Sequence, residues 1–421
     1  MKEVYNMENC QNYQYEIPLT MARTSGAKYL NDQILAGRNK GYSDFLLKIK
    51  NSKTYSNVCA PIAGILDYYR NLGCDFEIQY EDAQSYVAHT RFEKPEDAGS
   101  TMDKSDLQYP FDKVWTFRTS EGVNALVNAY ILAIRQADII SPGVIQSLEW
   151  CLNETLDNTL QHSGIEHGYI MVQLHKTVKQ LSVCVFDAGI GIYNSLKSSK
   201  YHPETPLDAI TLALQEKVTR DDTIGQGNGL WGFSKLISNA EGRFEVSSNG
   251  AVYYKDNENV RTTLSGHLNL GKKYGTTLID FQLNYSHEID VARALNGYQP
   301  VDLWLEDLEA DNGEIVILVS EKSSGTGTRK SAEKLRTMIM NITLADKKKV
   351  ILDFTGVHLL SSSFSDELIG KIISQYGFVF FINHFSIINL DAFNASILNR
   401  SVQQRMAQTY YDSTIEDAKD I

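Results

Sequence analysis

Four short signatures follow one another in a set order between Ser141 and Leu283, and that order constrains the fold more than composition does. The first is a helix. Ser141 can cap its first turn, Pro142 suits the first helical position, and Gly164 can end it in the left-handed region. On this helix Glu154 and Asn158, at i and i+4, share one face, with His162 one turn further on. The second is a strand, Leu181 to Phe186, which alternates and runs straight into Asp187-Ala188-Gly189-Ile190-Gly191. A carboxylate at a strand end, followed by two glycines, puts an acceptor beside a turn that a flat ligand can approach closely. The third is Gly225-Gln226-Gly227-Asn228-Gly229-Leu230-Trp231-Gly232, leading into the helical pattern Phe233 to Ala240. Glycines ahead of a helix let backbone amides point at phosphate oxygens, and the helix N-terminus adds positive potential. The fourth, Gly275-Thr276-Thr277, opens a last strand.

Taken singly, each signature has a plainer reading. The Glu154–Asn158 pair reads as a solvated face, Asp-x-Gly-x-Gly as an ordinary turn, and the glycine run as a dinucleotide fingerprint. The dinucleotide reading needs the glycines directly after a first parallel strand, and the preceding Glu216 to Ile224 is polar and poorly strand-like. The order of the four is what is specific. It resembles the Bergerat ATP-binding fold of the GHKL family, which includes gyrase, the heat-shock chaperone, histidine kinases and the MutL repair proteins. The resemblance implies bound ATP and Mg²⁺. It implies Asn158 as the Mg²⁺ ligand, Asp187 as acceptor for the adenine amino group, and Gly189 and Gly191 folding the backbone against the base. Gly225, Gly227 and Gly229 would cradle the phosphates, Thr276 would support the adenine end, and Glu154 would be the general base. The segment from Tyr193 to Ile224 corresponds to the family's lid, with a helical core Leu207 to Val218 and Lys217 and Arg220 as candidate phosphate contacts.

The central block runs over 112–287. Before it, residues 1–95 read as a small α/β unit: a short strand at Tyr15 to Pro18, helices at Ser25 to Leu35 and Ile62 to Leu72, and a strand at Asp75 to Tyr80. The stretch 96–111 is rich in charge, Pro, Gly and Ser and reads as a linker or surface loop. After the centre, 297–421 alternates strand and helix. Strands are expected at Glu314 to Ser320, Lys349 to Phe354 and Phe378 to Asn383. Helices are expected at Arg329 to Ile342, Ser365 to Tyr376 and Ile388 to Met406. Such alternation implies a mainly parallel or mixed sheet packed by helices.

Within this last block, Leu352-Asp353-Phe354-Thr355-Gly356 runs into Ser361-Ser362-Ser363-Phe364 ahead of a helix. This resembles the STAS-like domains related to anti-sigma-factor antagonists, in which a serine near a helix start is the target of a GHKL-type serine kinase. Here Ser361 stands where an acidic residue is usual and Phe364 where a glycine is usual, so helix capping is the expected role of the serines. The first block is also faintly STAS-like around Tyr55 to Tyr69. The overall expectation is therefore an α/β protein, a Bergerat-type α+β sandwich in the centre, flanked by a C-terminal STAS-like domain and a small N-terminal α/β domain.

Bulk properties exclude several classes. A net charge of −12 argues against a nucleic-acid partner. The cysteines, Cys10, Cys59, Cys74, Cys151 and Cys184, are odd in number and scattered, which fits a reducing cytosol and a cytoplasmic location. No stretch approaches the roughly 20 apolar residues that span a bilayer, so no membrane partner is expected. A histidine kinase would need a dimerising hairpin carrying a phospho-accepting histidine, and Phe117 to Ala137 gives one helix-like segment without one. The expected function is a Mg-ATP-binding regulatory protein, an ATPase whose nucleotide switches contacts of the STAS-like domains or of a protein partner. A homodimer is compatible with the family. A serine kinase acting on a STAS domain and a nonhydrolysing nucleotide-sensing scaffold are the alternatives.

Overall fold

The computed structural model describes residues 14–23, 25–50, 53–99, 102–197, 199–216, 229–256, 259–264, 268, 270, 275–297, 303–310 and 312–417. The fold is mixed α/β and divides into two compact units. One takes the chain up to Val127 together with Trp150–Asn284; the other takes Asn128–Glu149 and the chain from Tyr285.

The first unit holds two sheets. β1 (Tyr15–Thr20), β2 (Asp44–Lys50) and β3 (Asp75–Tyr80) are parallel in the order β1-β2-β3, connected by α1 (Gly26–Asn39) and α2 (Ser56–Arg70). The larger sheet has eight strands: β4 (Glu96–Asp97), β5 (Val114–Phe117), β6 (Gly168–His175), β7 (Gln180–Asp187), β8 (Arg243–Ser248), β9 (Ala251–Asp256), β10 (Asn259–Thr263) and β11 (Thr277–Asn284). Their order is β10-β9-β8-β11-β7-β6-β5-β4, and only the short β4–β5 pair is parallel. The stretch read as a linker from its composition contains β4 and the helix α3 (Lys104–Gln108). It is tied down by Asp106, whose buried carboxylate receives Arg91 at 3.3 Å and Lys113 at 2.5 Å. Charge density therefore marked an ion-paired segment here, a distinction that composition cannot make.

α2 joins the two sheets. A helix that is apolar all round must be buried on every side, and Val58 through Leu66 are all buried. One face packs on the parallel sheet and the other lies across β6 and β7, so both sheets share a single core that includes Leu47, Ile62, Met171 and Phe186. Polar contacts orient it: buried Gln173 of β6 accepts the Ser56 N–H at 2.8 Å, and Asp67 pairs with His167 at 3.1 Å. That partnership lowers the Asp67 carboxyl below its ordinary value. The helix approaches closest at Gly64, where an added Cβ would lie 2.4 Å from the Phe186 ring. Gly64→Val is expected to cost about 1–3 kcal/mol by overpacking. An unchanged urea midpoint would show that this helix is free to lift from the sheet.

In the second unit, β12 (Ile315–Leu318), β13 (Val350–Asp353) and β14 (Phe385–Ile388) form a parallel sheet in that order. The helix expected from Ser141 belongs partly here. α4 (Ser120–Ala137) precedes it, and α5 (Val144–His162) starts two residues after Pro142. Gly143 takes φ +78°, pressed so close to Ile289 that no Cβ would fit, and the Ser141 hydroxyl donates to the Ser286 carbonyl rather than capping. The end of α4 is closed by buried Asn341, which donates to the Arg135 and Asp138 carbonyls at 2.7 and 2.8 Å. Arg135 itself is fully buried against Asp346.

The remaining helices in chain order are α6 (Gly191–Lys197), α7 (Pro206–Ala213), α8 (Gly229–Asn239), α9 (Val291–Ala294), α10 (Leu303–Glu306), α11 (Val319–Lys322) and α12 (Arg329–Leu344). After them come α13 (Ser362–Ser365), α14 (Lys371–Tyr376), α15 (Phe378–His384) and α16 (Ala392–Asp417). A π-helical turn, Asp366–Gly370, links α13 to α14, so the expected helix there is present but interrupted. The strand expected at Phe378 to Asn383 is instead α15, and Phe385–Ile388 pairs with β13. A short apolar run has no period that separates strand from helix, and the pairing register decided it.

Candidate functional site

All residues singled out from the sequence as a site and described in the structure belong to the first unit. α5 presents Glu154 and Asn158 on one face, as their i,i+4 spacing requires. Against that face comes Gly229, the first residue of α8. A Cβ on Gly229 would lie 2.6 Å from Glu154 Oε2 and 3.1 Å from Asn158 Nδ2, so the helix start lies directly against both side chains, and a larger residue there would displace the Glu154 carboxylate. Burial, with Asp157 nearby, raises the Glu154 carboxyl above its ordinary value. Gly225 and Gly227, and with them Lys217 and Arg220, lie outside the described residues.

The strand end holds the second group. β7 alternates, so Phe186 faces α2 and Asp187 faces the opposite side. Asp187 is buried at 4% exposure, and burial pushes its carboxyl up to about 7. Two donors hold it: the Gly189 N–H at 2.9 Å and the side chain of Thr277, its partner residue across β11. An ionised carboxylate offers about four acceptor sites, so these two bonds leave capacity for a further donor. Gly189 is pressed on the Ser163 carbonyl at the end of α5, where a Cβ would come within 2.2 Å. The Ile190 N–H donates to that same carbonyl at 2.8 Å, which ties the glycine turn to the helix that bears Glu154 and Asn158.

Two residues matter here that the sequence did not single out for these contacts. The Thr276 hydroxyl donates to the Leu268 carbonyl at 2.6 Å, and it is Thr277 that reaches Asp187. Asn249, in the turn between β8 and β9, bonds Ile190 of the Asp-x-Gly-x-Gly loop and Tyr193 in the first turn of α6, which follows it. Only the Asn-Gly hairpin signature could have pointed to it, and that signature speaks of turn geometry, not of a long-range contact.

The segment Tyr193 to Ile224, which the resemblance equates with a lid, holds most of α6 and all of α7, with α7 closed by a Thr205–Asp208 capping box; that helix ends at Ala213, short of the expected Val218. A cavity of about 50 Å³ lies on the α2 side of the sheet, bordered by Asn57, Pro61, Phe186, Glu245 and Leu278. Of the candidate residues that the structure describes, only Thr276 borders it. The donor set around Glu154 and Asn158 is hard oxygen, suited to Mg²⁺ that takes most of its ligands from phosphate and water. Among the described residues no group of three or more His, Cys, Asp and Glu could hold a metal unaided.

In the second unit, Ser361 caps α13 by accepting the Phe364 N–H at 3.0 Å, as expected, while Ser362 and Ser363 are exposed. Residues 331–392 match a family model described as a STAS-like domain of unknown function (DUF4325). No curated protein matches the chain. Among the described residues no helix is long and apolar enough to cross a membrane, and Cys59, Cys74, Cys151 and Cys184 are buried free thiols.

Proposed function

We propose that the chain is a regulatory protein that binds Mg-ATP in a GHKL-type, Bergerat-fold domain, and that slow hydrolysis there switches contacts of its STAS-like part or of a partner. The observation that carries the proposal is the meeting of Gly229 with Glu154 and Asn158 on α5, together with a buried Asp187 whose glycine turn is bonded to the end of that same helix. In this reading Asp187 accepts from the adenine amino group, and the start of α8 faces the phosphates. Asn158 holds the magnesium. The metal, when bound, neutralises phosphate charge. Glu154 takes a proton from water, and burial, with Asp157 nearby, raises its affinity for protons above that of an ordinary glutamate.

A second reading, transfer to a serine of a STAS-like domain, draws on the exposure of Ser362 and Ser363. Incubation of the full chain with γ-labelled ATP separates the readings. Released phosphate supports hydrolysis, label on Ser362 or Ser363 supports transfer, and binding with neither outcome supports a nucleotide sensor. Absence of ATP binding in calorimetry would overturn the proposal.

A further inference from the structure

We infer that Asn249 is a positioning residue that holds the base end of this nucleotide site in shape and thereby sets its preference for adenine; the inference rests on the reading just given. β8 ends at Ser248 and β9 begins at Ala251, so Asn249 and Gly250 are the two central residues of a tight hairpin. Both have positive φ, 50° and 85°. That conformation favours Asn-Gly. A glycine at position 249 would serve the turn equally well, so the turn alone does not account for the amide side chain.

The side chain is engaged elsewhere. Its Oδ1 accepts the Tyr193 N–H at 3.0 Å, and its Nδ2 donates to the Ile190 carbonyl at 3.0 Å. The neighbouring Ser248 hydroxyl accepts the Ile192 N–H at 2.9 Å and donates to Asn249 Oδ1 at 3.1 Å. Space for this amide is made by two glycines. A Cβ on Gly191 would lie 2.1 Å from Asn249 Oδ1, and one on Gly275 would lie 2.0 Å from Asn249 Nδ2. Two glycines of the signatures thus accommodate a protein amide, which fastens the Asp-x-Gly-x-Gly loop to the strand pair β8–β11.

Consequences for the ligand follow from register. Ser248, Thr277 and Asp187 lie in one row across β8, β11 and β7. The loop pinned by Asn249 carries Gly189, whose N–H bonds Asp187. Adenine presents a donor at its six-position and guanine an acceptor. A carboxylate and amide held rigidly discriminate between them, because the wrong base leaves buried polar groups unpaired. A loosened loop lets the site adapt and discrimination falls.

The test compares the full-length protein with Asn249→Gly, which keeps the turn, and Asn249→Asp, which keeps an acceptor for Tyr193 but loses the donor to Ile190. Binding of Mg-ATP and Mg-GTP is measured by calorimetry, with a thermal melt for each protein. Loss of the three side-chain hydrogen bonds of Asn249 should weaken ATP binding about tenfold in Asn249→Gly with GTP binding unchanged, the aspartate falling between. A purely structural role would lower the melting temperature and leave the ATP-to-GTP ratio alone, which would overturn the inference. Should Asn249→Gly not fold, Asn249→Asp decides by the same ratio. Failure of the parent protein to bind ATP would instead overturn the nucleotide reading, whatever Asn249 does.

Discussion

Replacing Asp187 by asparagine is expected to weaken ATP binding about a hundredfold while making the nucleotide-free protein more stable at pH 8. The two effects have one cause. The carboxylate is buried with few donors, and its affinity for protons rises from the usual 3.8 to about 7. Between those values the folded chain binds a proton that the unfolded chain releases, so stability contributed by this group falls as pH rises through the window. Above about 7 the full cost applies, at most on the order of 4 kcal/mol. An asparagine removes that cost. It also replaces a pure acceptor with a carboxamide whose NH2 donor can oppose the adenine amino group. Melts from pH 5 to 8, with and without ATP, check both parts. Unchanged affinity would remove Asp187 from the site. Asp280 provides the control: it lies on the α2 side, bonds Asn57 at 3.0 Å, and is likewise raised to about 7 by burial and by Glu245. Asp280→Asn should therefore stabilise at pH 8 without touching nucleotide affinity.

Glu154→Ala should lower ATP turnover by roughly 10²–10⁴-fold, the usual worth of a positioned base, with ATP affinity within about threefold of the parent. Because burial and Asp157 raise the Glu154 carboxyl, the acid limb of the parent's turnover should lie above the ordinary glutamate range and vanish in the variant. Phosphate release from γ-labelled ATP is the measurement. Normal turnover in Glu154→Ala would show that another group activates water.

Some features were legible because they depend on neighbours in sequence. The i,i+4 placement of Glu154 and Asn158, the Asp187 strand end, β3 at Asp75–Tyr80 and the Ser361 cap need only local geometry, and residues 331–392 carry enough pattern to match a STAS-like model. Helix α5 showed the limit of such reasoning, since Ser141 and Pro142 are good start signals that a contact at Gly143 overrode.

The sequence by itself determined which residues could serve as acceptor, base and glycine turn, because helix and strand periods set which side chains share a face. Only the tertiary structure decided what surrounds them. The burial that moves Asp187 to about 7, the hydrogen bond it receives from Thr277, the fastening of Ile190 by Asn249 and the burial of α2 between two sheets all join residues far apart in the chain. Desolvation and register are properties of the packed chain, and no local pattern of residue types encodes them.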